Sequence, residues 1–91
     1  MHGNKNYTIE YLDSVTETDI PKLPTTVKAM IKKAIEERLA IDPIGFGKPL
    51  RYTLRGYRRL RVGDYRVVYR IGDKNHIIVI TAIKHRKNIY K

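Results

Sequence analysis

The sequence predicts an α+β fold in one compact domain, residues 1–91, with elements in the order β-α-α-β-β-β. Apolar residues recur at helical spacing in residues 25–41, and the period changes to two after residue 50. A chain of 91 residues suits a single domain with a modest core. We expect an antiparallel, twisted sheet with a helical pair on one face, and a flexible leader at residues 1–5.

Short stretches of sequence indicate each element. The alternation in NYTIEYL (6–12) predicts the first strand, and the prolines of DIPKLP (19–24) keep the following helix short. TTVKAMIKKAIEERLAI (25–41) predicts an amphipathic helix with Arg38 on its solvated face. Its predicted apolar stripe consists of Val27, Met30, Ile31, Ala34, Ile35 and Leu39. DPIGFGKP (42–49) ends this helix. Alternating patterns predict three further strands, at 57–62, 65–71 and 76–84.

A two-residue turn at Gly63-Asp64 determines which residues of the first hairpin share a face. Arg61 then lies opposite Arg66. Like charges directly opposed cost stability, so this face predicts an anion-binding surface. The same face also carries Tyr57, Arg59, Val68 and Arg70. The other face is the predicted core face, with Leu60, Val62, Tyr65, Val67, Tyr69 and Ile71.

The sequence leaves the face of Lys84 open. An even number of loop residues after Ile71 places Lys84 on the core side, and an odd number places it with the arginines. In both cases Lys84 ends the last strand, and Arg86 and Tyr90 follow it.

The net charge of +10 lies in the second half of the chain. Residues 1–50 carry seven Lys/Arg and seven Asp/Glu, whereas residues 51–91 carry twelve and two. Such self-repulsion destabilises a small fold unless a polyanion is the partner. Composition therefore favours nucleic-acid binding, with an acidic protein partner or a merely solvated basic face as the alternatives.

Other function classes find no support in the composition. The chain has no cysteine, so it offers neither a disulfide framework nor a thiolate metal site. No clustered histidines or carboxylates suggest a metal, and we expect no cofactor. The longest apolar run, IIVITAI (77–83), is too short to span a bilayer, so we expect no membrane partner.

LRGYRRLRVGDYRVVYRI, the apolar strand after it and IKHRKNIY resemble the RelE/ParE toxin superfamily. The closing HRxxIY pattern is more similar to the RelE branch. The resemblance implies a RelE-like fold and a cytoplasmic type II toxin that cleaves mRNA on the ribosome. It also implies a cognate antitoxin that forms a hetero-oligomeric complex with the toxin. Two alternatives stay open: a ParE-like toxin that inhibits DNA gyrase without RNase activity, and an inactive nucleic-acid-binding member.

The resemblance also implies a metal-free site for attack by the RNA 2′-hydroxyl. Arg66 matches the arginine that contacts the scissile phosphate, where it would stabilise developing charge. Tyr90 matches the near-terminal tyrosine and would act as general base, once neighbouring cations lower its pKa from about 10. Lys84 lies where RelE-type toxins often have an arginine, and Lys84 or His85 would protonate the leaving oxygen. The predicted RNA-binding residues are Arg59, Arg61, His85, Arg86 and Lys87.

Overall fold

The computed structural model describes residues 6–50, 56–72 and 76–87 and confirms the α+β class. Helices cover one face of a five-stranded sheet, and the core lies between the two layers. The predicted leader at residues 1–5 lies outside the described residues, and so does Tyr90.

Among the described residues, five strands form the sheet: β1 (Thr8–Tyr11), β2 (Lys48–Pro49), β3 (Arg58–Val62), β4 (Tyr65–Ile71) and β5 (Ile77–His85). They lie in the order β1-β5-β4-β3-β2. β1 runs parallel to β5, whereas the other neighbouring pairs are antiparallel. The prediction of an antiparallel sheet is therefore wrong at β1, because alternation within a strand does not indicate its partner or direction. The short β2 lies in a segment predicted to be a loop.

The helical layer has two parts. A short helix at Val15–Asp19 continues as a turn at Ile20–Lys22. The long helix begins at Thr25–Ala34 and continues as Ile35–Leu39, where a wider turn lets the Ala40 N–H donate to the Ile35 carbonyl at 2.9 Å. The apolar residues that pack against the sheet from this layer are Val15, Leu23, Ile31, Ala34, Ile35 and Leu39.

The β3–β4 hairpin has the predicted register. Val62 lies opposite Tyr65, which confirms the two-residue turn at Gly63-Asp64. Gly63 has a φ of +59°, a left-handed conformation that glycine adopts without the steric cost of a Cβ. The predicted core face is also confirmed: its residues join the core cluster or pack against it, namely Leu60, Val62, Tyr65, Val67, Tyr69 and Ile71.

Candidate nucleic-acid interface

Three cationic residues form a row across the central strands. Arg61 on β3 lies opposite Arg66 on β4, and Arg66 lies opposite Lys84 on β5. Neighbouring strands are only about 4.8 Å apart, so such a row concentrates positive charge at one end of the sheet. Three of the predicted site residues are thus brought together, and Arg59 lies two residues before Arg61 on the same strand face.

A β-bulge determines the face of Lys84. Ile71 pairs with Ile78, an even spacing that would place Lys84 on the core side. The ladder then shifts: Tyr69 pairs with Ile80 and Val68 with Ala82, so Thr81 is the extra residue. One extra residue moves every later side chain to the opposite face. Lys84 consequently joins the arginine row.

Arg66 has an unusual environment for a charged side chain. Its Nε and Nη1 atoms are buried and have no hydrogen-bond partner among the described residues. Buried donors without partners are costly, and they are rare in folded proteins. The Nε of Arg58 is also unpartnered, but its Nη2 donates to the carbonyls of Ile44 and Gly47 at 2.8 and 3.0 Å. Arg58 therefore serves as an anchor, whereas two donors of Arg66 stay unsatisfied within the described chain.

Arg66 lines a cleft of about 250 Å³ at the outer edge of β3. β2 pairs only with Arg58 and Arg59, so within the described chain β3 is uncovered from Leu60 onward. We call this space the basic cleft; its described lining residues are Arg38, Phe46, Lys48, Arg59, Leu60, Arg61 and Arg66. Five of them are cationic and none is acidic, a composition that suits a polyanionic ligand.

The turn at Pro43–Phe46 contributes Phe46 to the lining of the basic cleft. The Tyr69 hydroxyl, at the centre of the core, donates to the Pro43 carbonyl at 2.5 Å. Gly47 permits this approach, because a Cβ at Gly47 would overlap the Tyr69 hydroxyl. Burial raises the pKa of Tyr69, with Arg58 opposing that shift and Asp42 adding to it, so Tyr69 stays a neutral donor.

Lys84 has a partner that the sequence pattern does not predict. Asp19, only 6% exposed, accepts from Lys84 Nζ at 2.7 Å and from the Ile83 N–H at 2.9 Å. Both contacts form where β5 extends beyond β1, because β1 pairs only as far as Ile80. No local pattern indicates that Asp19 is buried, since it lies in the polar stretch TETDIP.

A second cleft surrounds this ion pair. We call it the Asp19 pocket; its lining residues are Asp19, Lys22, Leu23, Tyr65, Ile83, Lys84 and His85. His85 lies opposite Tyr65 in the ladder, with the two rings edge to face and their centroids 5.3 Å apart. His85 is therefore on the core-side face, away from the arginine row.

The segment after β5 is attached to the hairpin turn. The Arg86 N–H donates to the Asp64 carbonyl at 2.7 Å, and Arg86 Nε lies 3.8 Å from Asp64 Oδ1. The Lys87 N–H donates to His85 Nδ1 at 3.3 Å, and the side chains of Arg86 and Lys87 are exposed. The end of the described chain thus lies beside Gly63-Asp64, two residues from Arg66.

The chemistry of this region is that of fixed cations. Within the described ranges, no three His, Cys, Asp or Glu side chains are placed to hold a metal ion. Guanidinium groups match phosphate geometry with paired donors and remain charged at physiological pH. The row can bind a phosphodiester and stabilise negative charge on it, but arginine cannot act as a general base.

The chain matches a known family over most of its length. Residues 10–90 match the family described as ParE toxin of type II toxin-antitoxin system, parDE. The chain is 35% identical over 85 residues to Toxin RelG of Mycobacterium tuberculosis (strain ATCC 25618 / H37Rv), covering 93% of this chain and 97% of RelG. It is 38% identical over 73 residues to Toxin RelE of the same organism, covering 80% and 75%.

Solved structures give the same result. The toxin-antitoxin complex RelBE2 from Mycobacterium tuberculosis matches with a TM-score of 0.83 and 34% identity, covering 91% of this chain and 94% of that chain. The isolated E. coli RelE toxin shares the fold with a TM-score of 0.71 at 20% identity, covering 87% and 83%. The fold and these matches define a toxin of a type II toxin–antitoxin system. The chain belongs to the RelE/ParE superfamily, as a RelE-like member.

None of the helices in the described part of the chain is long and apolar enough to cross a membrane.

Proposed function

We propose that this toxin is a ribosome-dependent endoribonuclease that cleaves mRNA without a metal. The observation that carries the proposal is the basic cleft, which is lined by five cations, Arg66 among them, and by no described acidic residue. Two buried guanidinium nitrogens of Arg66 are unpartnered in the described chain, so a rearrangement that brings phosphate oxygens to them is favourable. The RelE-like fold supports mRNA as the substrate that brings this phosphate.

In the proposed reaction the RNA 2′-oxygen attacks the adjacent phosphorus and the bond from phosphorus to the 5′-oxygen breaks. The products carry a 2′,3′-cyclic phosphate and a 5′-hydroxyl. Arg66 stabilises the charge that develops on the phosphate oxygens, an effect worth about 3–4 kcal/mol in comparable sites. Arg59 and Arg61 position the flanking backbone, and Arg86 and Lys87 add exposed positive charge beside the turn.

Tyr90 is the proposed general base, which takes the proton of the 2′-hydroxyl. From Arg86, which is held on the hairpin turn, four residues reach at most about 14 Å. Arg66 follows Asp64 by only two residues and lies within that distance. The chain is therefore long enough for Tyr90 to reach a phosphate bound by Arg66. Lys84 or His85 is the proposed donor to the leaving 5′-oxygen: Lys84 lies opposite Arg66 in the ladder, with its Nζ held by Asp19, and His85 follows it on β5.

The proposed partner is a cognate antitoxin, since the solved relative RelBE2 is a toxin-antitoxin complex. A net charge of +10 favours an acidic or amphipathic chain that covers the basic cleft. The place of action is the cytoplasm, where ribosomes and mRNA meet. A ParE-like inhibitor of DNA gyrase is the second candidate, because the matching family is described as ParE toxin.

The first experiment uses a purified translation system with a defined mRNA, with and without this protein, and maps the RNA ends. New ends that require ribosomes and follow codon phase are expected. Intact mRNA with unaffected translation would contradict the proposal. A parallel supercoiling assay with DNA gyrase separates the second candidate, which predicts inhibition of gyrase and no RNA cleavage.

The role of Tyr90 is tested by Tyr90→Phe in the same system. Loss of the hydroxyl should lower the cleavage rate by about 100- to 10,000-fold, the range typical of a lost general base. The salt-dependent association with ribosomes should remain, because the phosphate contacts are unchanged. A Tyr90→Phe protein that cleaves at the wild-type rate would rule out this role.

A further inference from the structure

Phe46 is an exposed aromatic side chain in cationic surroundings. It is the chain's single phenylalanine and is 49% exposed. Isolated exposed apolar residues are common and need no explanation. Phe46, however, lines the basic cleft together with five cations, namely Arg38, Lys48, Arg59, Arg61 and Arg66. An aromatic ring that shares a cleft with several cations can bind a ligand that has both flat apolar faces and negative charge.

The backbone that carries Phe46 is held in place from several directions. Tyr69 donates to the Pro43 carbonyl, and Arg58 Nη2 donates to the carbonyls of Ile44 and Gly47. The Asp42 carboxylate accepts from the Gly45 N–H at 2.9 Å, at the start of the same turn. The turn is thus ordered before any ligand arrives, which lowers the entropy cost of using its ring as a platform.

The positions of Arg38 and Lys48 in the fold add evidence for an RNA ligand that the sequence alone did not provide. The pattern of the long helix predicts that Arg38 belongs to a solvated face, yet the fold brings it to the lining of the basic cleft. Lys48 lies opposite Arg59 where β2 meets β3. Both cations therefore line the same cleft as the Phe46 ring, which suits a ligand that carries phosphates next to a base.

We propose that Phe46 is a base-stacking residue, which binds one unpaired nucleobase of RNA while Arg59, Arg61 and Arg66 hold the neighbouring phosphates. Proteins recognise single-stranded RNA by this combination of aromatic stacking and arginine contacts. The inference rests on the proposed function and names the group that orients the RNA strand at the site.

Fluorine NMR tests the proposal directly, because a protein labelled with fluorophenylalanine carries its fluorine at Phe46 alone. The titrants are a single-stranded RNA hexamer and a hexamer of the same backbone without bases. The base-containing hexamer should shift the resonance saturably, and the abasic hexamer should bind through phosphates without that shift. Equal shifts, or no shift with millimolar RNA hexamer, would overturn the proposal.

A cleavage assay on ribosomes supplies the functional test. Phe46→Ala should lower kcat/KM by about 5- to 150-fold, the equivalent of one lost stacking contact, and Phe46→Trp should retain activity. Ile44→Ala is the matched control, since Ile44 is 63% exposed on the same turn but lines a different pocket. Full activity of Phe46→Ala, or an equal loss in Ile44→Ala, would overturn the stacking role.

The two tests separate this inference from the proposed function. If the wild type does not cleave mRNA on ribosomes, the proposed function fails, and the fluorine titration still decides whether Phe46 stacks on bases. If Phe46→Ala binds the RNA hexamer normally but loses its co-expressed antitoxin, Phe46 belongs to a protein interface and the stacking role is wrong.

Discussion

The basic cleft and the Asp19 pocket each contain one of two neighbouring cations, and a carboxylate neutralises only the cation in the Asp19 pocket. Arg66 and Lys84 are paired in register on adjacent strands, and of these two cations only Lys84 meets a carboxylate among the described residues. Asp19 neutralises Lys84, whereas two guanidinium nitrogens of Arg66 stay without described partners. An unpaired buried charge lowers stability. The contrast therefore separates a cation whose donors the described chain leaves unsatisfied from a cation that supports the fold.

The largest effect on the cleavage rate is expected when Arg66, the cation with unpartnered nitrogens in the basic cleft, is replaced. Arg66→Gln should lower the cleavage rate by about 100- to 1,000-fold, because transition-state charge is no longer stabilised. Its urea midpoint should not fall, since the substitution also removes the charge opposite Arg61. Arg70→Gln is the control, as Arg70 is exposed toward the other end of the same strand. Wild-type cleavage by Arg66→Gln would contradict the comparison.

A substitution in the Asp19 pocket is expected to lower the stability of the fold. Asp19→Ala leaves the buried Ile83 N–H without its acceptor and breaks the ion pair with Lys84. Because the Lys84 side chain is 42% exposed, its amine regains water, and we expect a loss of about 2 kcal/mol in the free energy of unfolding.

Urea denaturation measures this loss. Asp13→Ala is the matched control, because Asp13 is an exposed carboxylate near the start of the same helical segment and should lose little stability. Asp19→Asn should lie between the two, since the amide oxygen can still accept one hydrogen bond. An Asp19→Ala protein as stable as the wild type would show that the pocket does not stabilise the fold.

A smaller loss of stability is expected when Tyr69, the neutral hydrogen-bond donor to Pro43, is replaced. Tyr69→Phe removes the hydrogen bond to Pro43 and should cost about 1 kcal/mol at neutral pH. Burial raises the pKa of Tyr69, so above about pH 10 the unfolded chain loses this proton before the folded one does. The contribution of Tyr69 to wild-type stability should therefore be constant below that pH and decline above it.

Unfolding measured across that range gives the test, and Tyr69→Phe should decline less steeply than the wild type. Tyr11→Phe is the control, because burial and Glu36 also raise the pKa of Tyr11 but it lacks the contact with Pro43. That variant should share the shallower decline and leave the Pro43 contact intact. A Tyr69→Phe decline as steep as that of the wild type would contradict the assignment.

Sequence alone was enough for the hairpin that carries the arginines. A two-residue turn and a period of two are local features, and together they place Arg61 opposite Arg66 whatever the rest of the chain does. The helical stripe likewise predicted which residues of the long helix face the core, with Met30 as the exception at 47% exposure.

Only the tertiary structure decided the rest of the site. The bulge at Thr81 turned Lys84 toward the arginines, and the end of β1 left an edge where Asp19 could bind it. Arg38 and Phe46 reached the basic cleft from segments far from β3 in sequence. Local periodicity contains no information about such contacts, because they depend on how separate elements pack and on a single inserted residue.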